Sequence, residues 1–206
     1  MIEDILKKIV WLGHDGFRID ASKTVYIDPY QISDGPEADL ILITHDHFDH
    51  CSPDDVAKVQ HSGSVIVTEK DSAAKLSGDV RVVKVGETRS IDNVQIEAVA
   101  AYNTNKDFHP KSKGWLGFIV EIDGVKVYHA GDTDFIPEMK DFDVDIALLP
   151  VSGTYVMTAD EAVEAALAIN PKIAIPMHYG AIVGGENDAT KFKQALEGKV
   201  EVHILG

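Results

Sequence analysis

The sequence predicts an α/β fold in which two β-sheets pack together and helices lie outside them. Runs of strand-like segments are broken by single helix-like segments in both halves of the chain. Residues 39–43 carry a continuous apolar run, which is typical of a strand buried on both faces. With 206 residues and 45% hydrophobic content, the chain can bury a sizeable core as one domain, residues 1–206.

Six strands and two helices are predicted in the first half of the chain. Gly13 and Gly16 lie between the first two predicted strands. A helix is predicted to begin after Ser52, because Ser52 suits the N-cap and Pro53 suits the first helical position. A second, short helix is predicted at residues 70–76. The predicted strands are 9–12, 24–27, 39–43, 64–67, 80–85 and 94–101.

The second half repeats the alternation. Asp123 and Gly124 separate two strand-like segments, 118–122 and 125–128, which predicts a hairpin. Thr158 and Glu161 form a capping-box pattern that begins a helix running to about residue 169. The remaining elements are predicted strands at 145–149, 171–177 and 200–205 and a helix at 187–196. Residues 110–114 lie near the midpoint, but the candidate site draws on both sides of them, so they are not treated as a domain boundary.

Charge and composition narrow the range of functions. The formal net charge of -15 disfavours nucleic acid as a partner, because binding phosphate groups needs a basic surface. No apolar run approaches the roughly 18 residues of a membrane span, and the first residues are acidic where a signal peptide would be basic. We therefore expect a cytoplasmic protein with no membrane partner. Cys51 is the single cysteine, so it cannot form an internal disulfide, and we expect it to be a small, at least half-buried thiol.

Residues 45–50 form the segment with the clearest chemistry. Three histidines and two aspartates fall within six residues, without the Lys or Glu that a surface charge run normally contains. Imidazole and carboxylate at this density are what borderline divalent metals prefer. In an extended segment His45 and His47 point the same way and can reach one ion. Asp49 and His50 follow where the chain turns towards the helix, so they can reach a second ion nearby.

The pattern H-x-H-x-D-H after a buried strand resembles the signature of the metallo-β-lactamase superfamily. That resemblance covers essentially the whole chain and implies a four-layer αββα sandwich with the site at one edge of the two sheets. The finer resemblance is to small single-domain members similar to the ascorbate-6-phosphate lactonase and to related uncharacterised metal-dependent hydrolases. The segments that carry the finer resemblance are residues 11–14, 26–29, 128–133 and 176–180.

The resemblance also implies a full set of ligands for two divalent metal ions. Zinc is the expected metal, and manganese or iron is the alternative. A hydroxide bridging the two ions would attack the substrate, and Asp49 would accept a hydrogen bond from it and so act in catalysis as well. The implied ligands are His45, His47 and His109 for the first ion, Asp49, His50 and His178 for the second, and Asp132 between them.

Several further residues have a functional and a structural interpretation. Asp28, at a strand end before a proline, is expected to orient a metal-bound histidine through its ring N–H. His14 either touches the site or makes a structural hydrogen bond, and His129 is expected to support the site or to pack beside it. His61 and His203 have no motif around them and are expected to be ordinary surface or core histidines.

The substrate pocket is less well defined by the sequence. Lys106, Lys111 and Lys113 bracket His109 and would suit an anionic substrate as point charges, although a solvated loop explains them equally. Tyr155 and Tyr179 follow strands near the expected site, and each either lines the pocket or packs as an ordinary aromatic residue.

These observations predict a zinc- or manganese-dependent hydrolase acting on a small lactone or phosphoester. A mononuclear iron dioxygenase of the same fold is the alternative, because its motif can look the same. A nuclease fits less well with the acidic chain, and a binding protein without activity fits poorly with a complete ligand set. The expected partner is a small molecule, and association into a homo-oligomer stays open.

Overall fold

The computed structural model describes residues 1–206 and contains two mixed β-sheets. The first sheet has six strands that are neighbours in chain order, with β1 to β3 antiparallel and β3 to β6 parallel. β1 and β3 therefore point in the same direction as β4. The strands are β1 (Ile9–Gly13), β2 (Gly16–Asp20), β3 (Thr24–Ile27), β4 (Leu40–Ile43), β5 (Val65–Thr68) and β6 (Asp79–Val82).

The second sheet has seven strands in the reverse of chain order, from β13 to β7. β7 to β10 form an antiparallel meander, and β10 to β13 are parallel. As a result β8, β10, β11 and β12 all point the same way. The strands are β7 (Thr88–Ile91), β8 (Val94–Ala100), β9 (Leu116–Ile122), β10 (Val125–His129), β11 (Ile146–Pro150), β12 (Ile173–Met177) and β13 (Glu201–Val202).

The core lies mainly between the two sheets. Side chains such as Phe17 and Leu42 from the first sheet share one buried cluster with Phe118 and Leu148 from the second. A smaller cluster on the other face of the first sheet includes Val56 from the helix that covers it. The helices are α1 (Ile2–Leu6), α2 (Pro53–Val59), α3 (Lys70–Ala73), α4 (Ala159–Ile169) and α5 (Glu186–Ala195), with 3-10 turns at Lys111–Lys113 and Pro137–Asp141.

This arrangement is the α/β, metallo-β-lactamase-like sandwich that the sequence predicts. Ala162 of α4 and Phe192 of α5 belong to the same buried cluster as the second sheet, so these helices cover its outer face. Each layer exists because one apolar face of a sheet or helix must be buried against another. None of the helices has the length and apolar composition that a membrane span requires.

The predicted elements differ from the observed ones mainly at sheet edges. β2 and β7 are not among the strands predicted from the sequence, and the last strand, predicted at 200–205, is only two residues long. Pro176 explains that short strand. The backbone of Ala174 faces β13, since its carbonyl accepts a hydrogen bond from the N–H of His203. Pro176 faces the same way two residues later, and it has no N–H to continue the ladder.

The two helix starts that were predicted from capping residues, those of α2 and α4, agree with the structure. Ser52 caps α2, with Pro53 at its first position, and Thr158 caps α4 through the predicted capping box with Glu161. Both helices therefore begin where local side-chain hydrogen bonds satisfy free backbone N–H groups.

Candidate metal centre

The site lies where the carboxyl ends of strands from both sheets meet. Residues 44–50 follow β4, Asp132 follows β10, and His178 follows β12. His109 lies in the long connection between β8 and β9. The parallel directions of these strands bring their ends to one edge, so residues far apart in the chain meet there. All seven predicted ligands lie at this edge, in clusters whose ligand atoms are within 4.8 Å of one another.

The first metal position is formed by His45, His47 and His109 with one oxygen of Asp132. Nε2 of His45 lies 3.0 Å from Nδ1 of His47. Nε2 of His109 lies 3.0 Å from Oδ2 of Asp132. Two ligand atoms of a tetrahedral zinc ion lie roughly 3.3 Å apart, given Zn–N bonds of about 2.0–2.1 Å. The observed spacings are close to that value, so this set can surround one ion.

The candidate second metal position lies at His50 and His178, which form one group of ligand atoms with Asp49 and another with Asp132. Nε2 of His50 and Nε2 of His178 each lie 3.3 Å from Oδ1 of Asp132. Oδ2 of Asp49 lies 3.7 Å from Nε2 of His50. Asp132 therefore turns one carboxylate oxygen towards each position, which is the arrangement a bridging ligand requires.

Unpaired polar atoms show that the centre fits metal ions. Four buried ligand atoms have no hydrogen-bond partner: Nε2 of His50, His109 and His178, and Oδ1 of Asp132. Leaving a buried polar group unpaired costs about 1–3 kcal/mol, and more when the group is charged. These atoms converge on the two positions, so divalent cations would satisfy all of them at once.

The histidines at the centre are oriented by hydrogen bonds through their other ring nitrogens. Nδ1 of His50 donates to Oδ2 of Asp28 at 2.8 Å, the type of contact that the position of Asp28 predicts. Asp28 also accepts hydrogen bonds from the backbone N–H and the hydroxyl of Thr44. The Thr44 hydroxyl oxygen in turn accepts from Nδ1 of His45 at 3.0 Å. One buried carboxylate thus fixes a histidine at each metal position and leaves Nε2 of both rings free for a metal.

Two supporting side chains are not identified by the sequence analysis. Nδ1 of His109 donates to Oδ1 of Asn103 and to the backbone carbonyl of Tyr155, at 3.1 and 3.2 Å. Nδ1 of His178 lies 2.8 Å from the hydroxyl of Ser152. Asn103 follows β8 and Ser152 follows β11, so each stands at the same sheet edge as the ligands. A polar residue directly after a strand that ends at this edge is the signal that could have identified them.

His14 and His129 have different positions around the centre. Nε2 of His14 lies 3.0 Å from Oδ2 of Asp49, so His14 contacts a predicted ligand directly. Nε2 of His129 donates to the backbone carbonyl of Asp15 at 2.8 Å, while its Nδ1 accepts from the N–H of Gly131. His129 therefore joins the β1–β2 turn to the turn that carries Asp132. His61 and His203 lie elsewhere, and their imidazole rings make hydrogen bonds only to residues two positions away.

The pKa values of the histidines differ between the two positions. Burial lowers the pKa of His45 well below its usual value and also lowers that of His47, so both are neutral at pH 7, the form that binds metal. Burial opposes charge at His50 and His178 too, but Asp132 outweighs it. The pKa of His50 is raised well above its usual value, and that of His178 is raised to about 9.

Asp132 responds to the same neighbours. Burial alone would raise its pKa, but His178 and His50 hold it well below the usual range. In the metal-free protein the second position is therefore neutralised by protons on two histidines. A divalent ion entering this position must displace those protons, so metal binding there releases protons and becomes weaker as the pH falls.

The residues proposed for a substrate pocket are mostly engaged in other contacts. Nζ of Lys106 lies 2.7 Å from Oδ1 of buried Asp134, and Nζ of Lys111 lies 2.9 Å from Oε1 of Glu138. Nζ of Lys113 is 3.7 Å from Oδ2 of Asp71. All three lysines thus have a carboxylate partner.

Tyr155 and Tyr179 lie at different places around the centre. The half-buried ring of Tyr155 packs edge-on against Phe108, beside the first metal position, with ring centroids 4.7 Å apart. Tyr179 is buried, and its ring packs against Trp11 at 4.8 Å. Trp11, His14 and Tyr179 line a separate depression next to the second position.

Asp28→Ala is expected to weaken metal binding by roughly 10–100-fold, the usual effect of removing a group that orients a metal-bound histidine. The reason is that His50 loses its partner at Nδ1, and the Thr44 hydroxyl that supports His45 loses its acceptor. Competition with a chromogenic chelator measures the affinity. Unchanged metal retention would show that Asp28 does not orient these ligands.

Comparison with known proteins identifies the family of this chain. A model of the "Beta-lactamase superfamily domain" matches residues 8–178. A UPF0173 metal-dependent hydrolase of Thermococcus kodakarensis is 37% identical, with 96% of each chain covered. A second one, of Thermoplasma acidophilum, is 35% identical, with 96% of this chain and 94% of that protein covered.

A solved structure is similar as well. The crystal structure of a protein of Parabacteroides distasonis, described as a metal-dependent hydrolase, superposes with a TM-score of 0.84 at 38% sequence identity. It covers 96% of this chain and 91% of its own. The matched residues include all seven predicted ligands and every strand of the two sheets except β13. The chain therefore belongs to the β-lactamase superfamily and is one of its metal-dependent hydrolases.

Proposed function

We propose that the protein hydrolyses a small lactone, ester or phosphoester with two divalent metal ions bound at the two positions. The observation that carries the proposal is the orientation of Asp132, which turns one oxygen towards His109 and the other towards His50 and His178. Two ions bound there would lower the pKa of a bridging water and so supply hydroxide at neutral pH.

The donor atoms favour zinc at the first position. Three imidazole nitrogens and one carboxylate oxygen are a usual zinc set. The hydrogen bonds from Nδ1 of His45 and His109 fix which nitrogen of each ring faces the ion. Manganese or iron can also use such ligands, so the metal present in native protein has to be measured.

Asp49 is the candidate for handling the proton of the attacking water. Its side chain is 14% exposed, whereas Asp132 and Asp28 are almost fully buried. Burial alone would raise the pKa of Asp49, but the hydrogen bond from His14 and the charge of His50 lower it. Asp49 is therefore ionised at neutral pH and can accept a hydrogen bond from water, while His14 contacts its Oδ2 at 3.0 Å.

The surroundings favour an uncharged substrate with an apolar group. Two large apolar side chains next to ligands are exposed, Phe48 at 67% and Phe108 at 50%. Phe48 packs against Tyr30 and Phe108 packs against Tyr155, which makes an apolar border on two ligand-bearing segments. The lysines nearby are neutralised by carboxylates, and the whole chain is acidic. Of the proposed classes, lactones and carboxylic esters with an apolar substituent therefore fit better than phosphoesters.

Metal removal is expected to abolish hydrolysis, and Zn²⁺ or Mn²⁺ is expected to restore it, because the nucleophile depends on the metal-lowered pKa of water. The assay is a panel of lactones, aryl esters and phosphoesters with the native, metal-stripped and reconstituted protein. Metal content is measured on each sample. Mg²⁺ is the control metal, since a centre rich in imidazole binds it poorly.

Two results would contradict this proposal. Turnover of the preferred substrate that persists in chelator after the metal content reaches zero would exclude a metal-dependent hydrolase. Oxygen consumption with a persulfide by the iron-loaded protein, with no hydrolysis of any panel member, would favour the dioxygenase alternative.

A further inference from the structure

Asp15 is a buried carboxylate beside the metal centre that none of the roles above explains. It lies between Gly13 and Gly16 in the turn that joins β1 to β2, and its exposed fraction is 0%. Neither of its carboxylate oxygens has a hydrogen-bond partner. A carboxylate buried without a partner is strongly unfavourable, because it loses its hydration and gains nothing in return.

The side chain of Asp15 points to the second metal position. Its ligand atom forms one cluster with those of His50, Asp132 and His178, all within 4.8 Å of one another. Oδ2 of Asp15 is 3.9 Å from Nδ1 of His50, a nitrogen whose hydrogen bond is already directed to Asp28. The structure therefore places a free carboxylate next to three ligands but gives it no direct partner among them.

The backbone holds Asp15 in this position from two sides. Its carbonyl accepts the hydrogen bond from Nε2 of His129, close to the turn that carries Asp132. The carbonyl of His14 accepts a hydrogen bond from the backbone N–H of His178 at 3.0 Å. The β1–β2 turn is thus tied to both loops that supply the second position, so the backbone of Asp15 is held beside that position.

We propose that Asp15 is an additional ligand of the second metal position, next to His50, His178 and Asp132. The proposal rests on the binuclear centre proposed above. A cation there would give the unpaired carboxylate oxygens of Asp15 the partner that the protein itself does not provide. It also changes the chemistry of that position, because Asp15 adds a second carboxylate to Asp132, His50 and His178.

The two positions should then differ in metal preference. The first, with three imidazoles and one carboxylate, suits zinc. The second, with Asp15 and Asp132 beside two imidazoles, is richer in oxygen and suits Mn²⁺ or Fe²⁺ better than a site with fewer carboxylates would. Protein loaded with about one equivalent of Zn²⁺ and an excess of Mn²⁺ should accordingly bind one of each, because Zn²⁺ outcompetes Mn²⁺ wherever it is available. Replacement of Asp15 should reduce the Mn²⁺ bound.

The test compares Asp15→Asn and Asp15→Ala with the wild-type chain. Metal content is measured by elemental analysis after dialysis, the affinity of each equivalent by chelator competition, and Mn²⁺ occupancy by electron paramagnetic resonance. In both variants the second equivalent should bind at least roughly 10–100-fold more weakly, while the first is retained. Asp55→Asn is the matched control, because Asp55 is a buried carboxylate that serves the backbone N–H groups of Gln31 and Ile32, not the centre.

Asp15→Asn distinguishes metal ligation by Asp15 from a role as a hydrogen-bond donor to Asp132. Asn has nearly the shape of Asp and can donate a hydrogen bond to Asp132, but its neutral amide is a poor ligand. If Asp15→Asn binds the second equivalent as tightly as wild type, Asp15 is not a ligand and the proposal is wrong. A wild-type chain that binds only one ion would contradict the binuclear centre itself, and the role of Asp15 with it. Because Asp15→Asn preserves volume, it keeps the test valid if Asp15→Ala does not fold.

Discussion

Asp132→Asn is expected to abolish stable binding of both metal ions and to lower turnover by at least roughly 10³-fold. Asp132 is the one side chain whose two oxygens face both positions, Oδ2 towards His109 and Oδ1 towards His50 and His178. An amide has nearly the same shape but no charge, and its NH₂ group cannot ligate. Elemental analysis should find less than about one ion per chain, against about two in wild type.

Asp145→Asn provides the matched control for this variant. Asp145 lies just before β11, at the opposite edge of the same sheet, and accepts a hydrogen bond from the backbone N–H of Lys126. Its replacement removes one carboxylate from the sheet without touching the centre, so metal content and turnover should stay at wild-type values. An Asp132→Asn protein that retained two ions with wild-type affinity would show that Asp132 does not bridge them.

Asp49→Ala is expected to lower turnover by roughly 10²–10⁴-fold, the usual contribution of a positioned general base, while the fold is maintained. Asp49 combines an ionised carboxylate with partial exposure to solvent, and His14 holds it in place from 3.0 Å. The neighbouring strand β4 does not depend on it, because Leu40–Ile43 are buried by apolar packing. The melting temperature of the metal-free variant should therefore remain close to that of the metal-free wild type.

Asp46→Ala is the control in the same loop, since the Asp46 carboxylate is paired with Lys75 instead of with a histidine of the centre. Turnover of this variant should change little. Metal content must be measured on both proteins, because Asp49 is a predicted ligand as well as a base. If Asp49→Ala keeps wild-type turnover with the metals bound, the attacking water has another proton acceptor.

Local patterns account for the parts of the fold and centre that were predictable. The capping residues Ser52 and Thr158 act within their own first helical turn, so their effect can be seen in a few adjacent letters. The segment 45–50 is similar, because its ligands are neighbours in sequence and their density is unusual by itself. His109, Asp132 and His178 were identified only through family resemblance, since nothing local marks a lone histidine or aspartate as a ligand.

The edge strands show where local patterns are insufficient. β13 ends early because Pro176 in the neighbouring strand offers no N–H, a restriction that lies outside the sequence of β13 itself. β2 becomes a strand because both neighbours pair with it and because Phe17 and Ile19 are buried in the core. The neighbouring strands thus determine both the length of β13 and the formation of β2. Those neighbours lie outside a sequence window of a few residues.

The sequence by itself determined the fold class and the chemistry of residues 45–50, because hydrophobic periodicity and a dense set of imidazoles and carboxylates are properties of short segments. The sequence also predicted that Asp28 orients a metal-bound histidine, but only the tertiary structure decided which histidine it reaches and which other residues support the candidate ligands. Asp28 reaches His50 across 22 residues, Ser152 reaches His178 across 26, and His129 reaches Asp15 across 114. These contacts form because strands from two sheets end at one edge, and the pairing of strands is set by burial of the whole core. The unpaired carboxylate of Asp15 is visible only there, since a lack of partners can be established only when every neighbour in space is known.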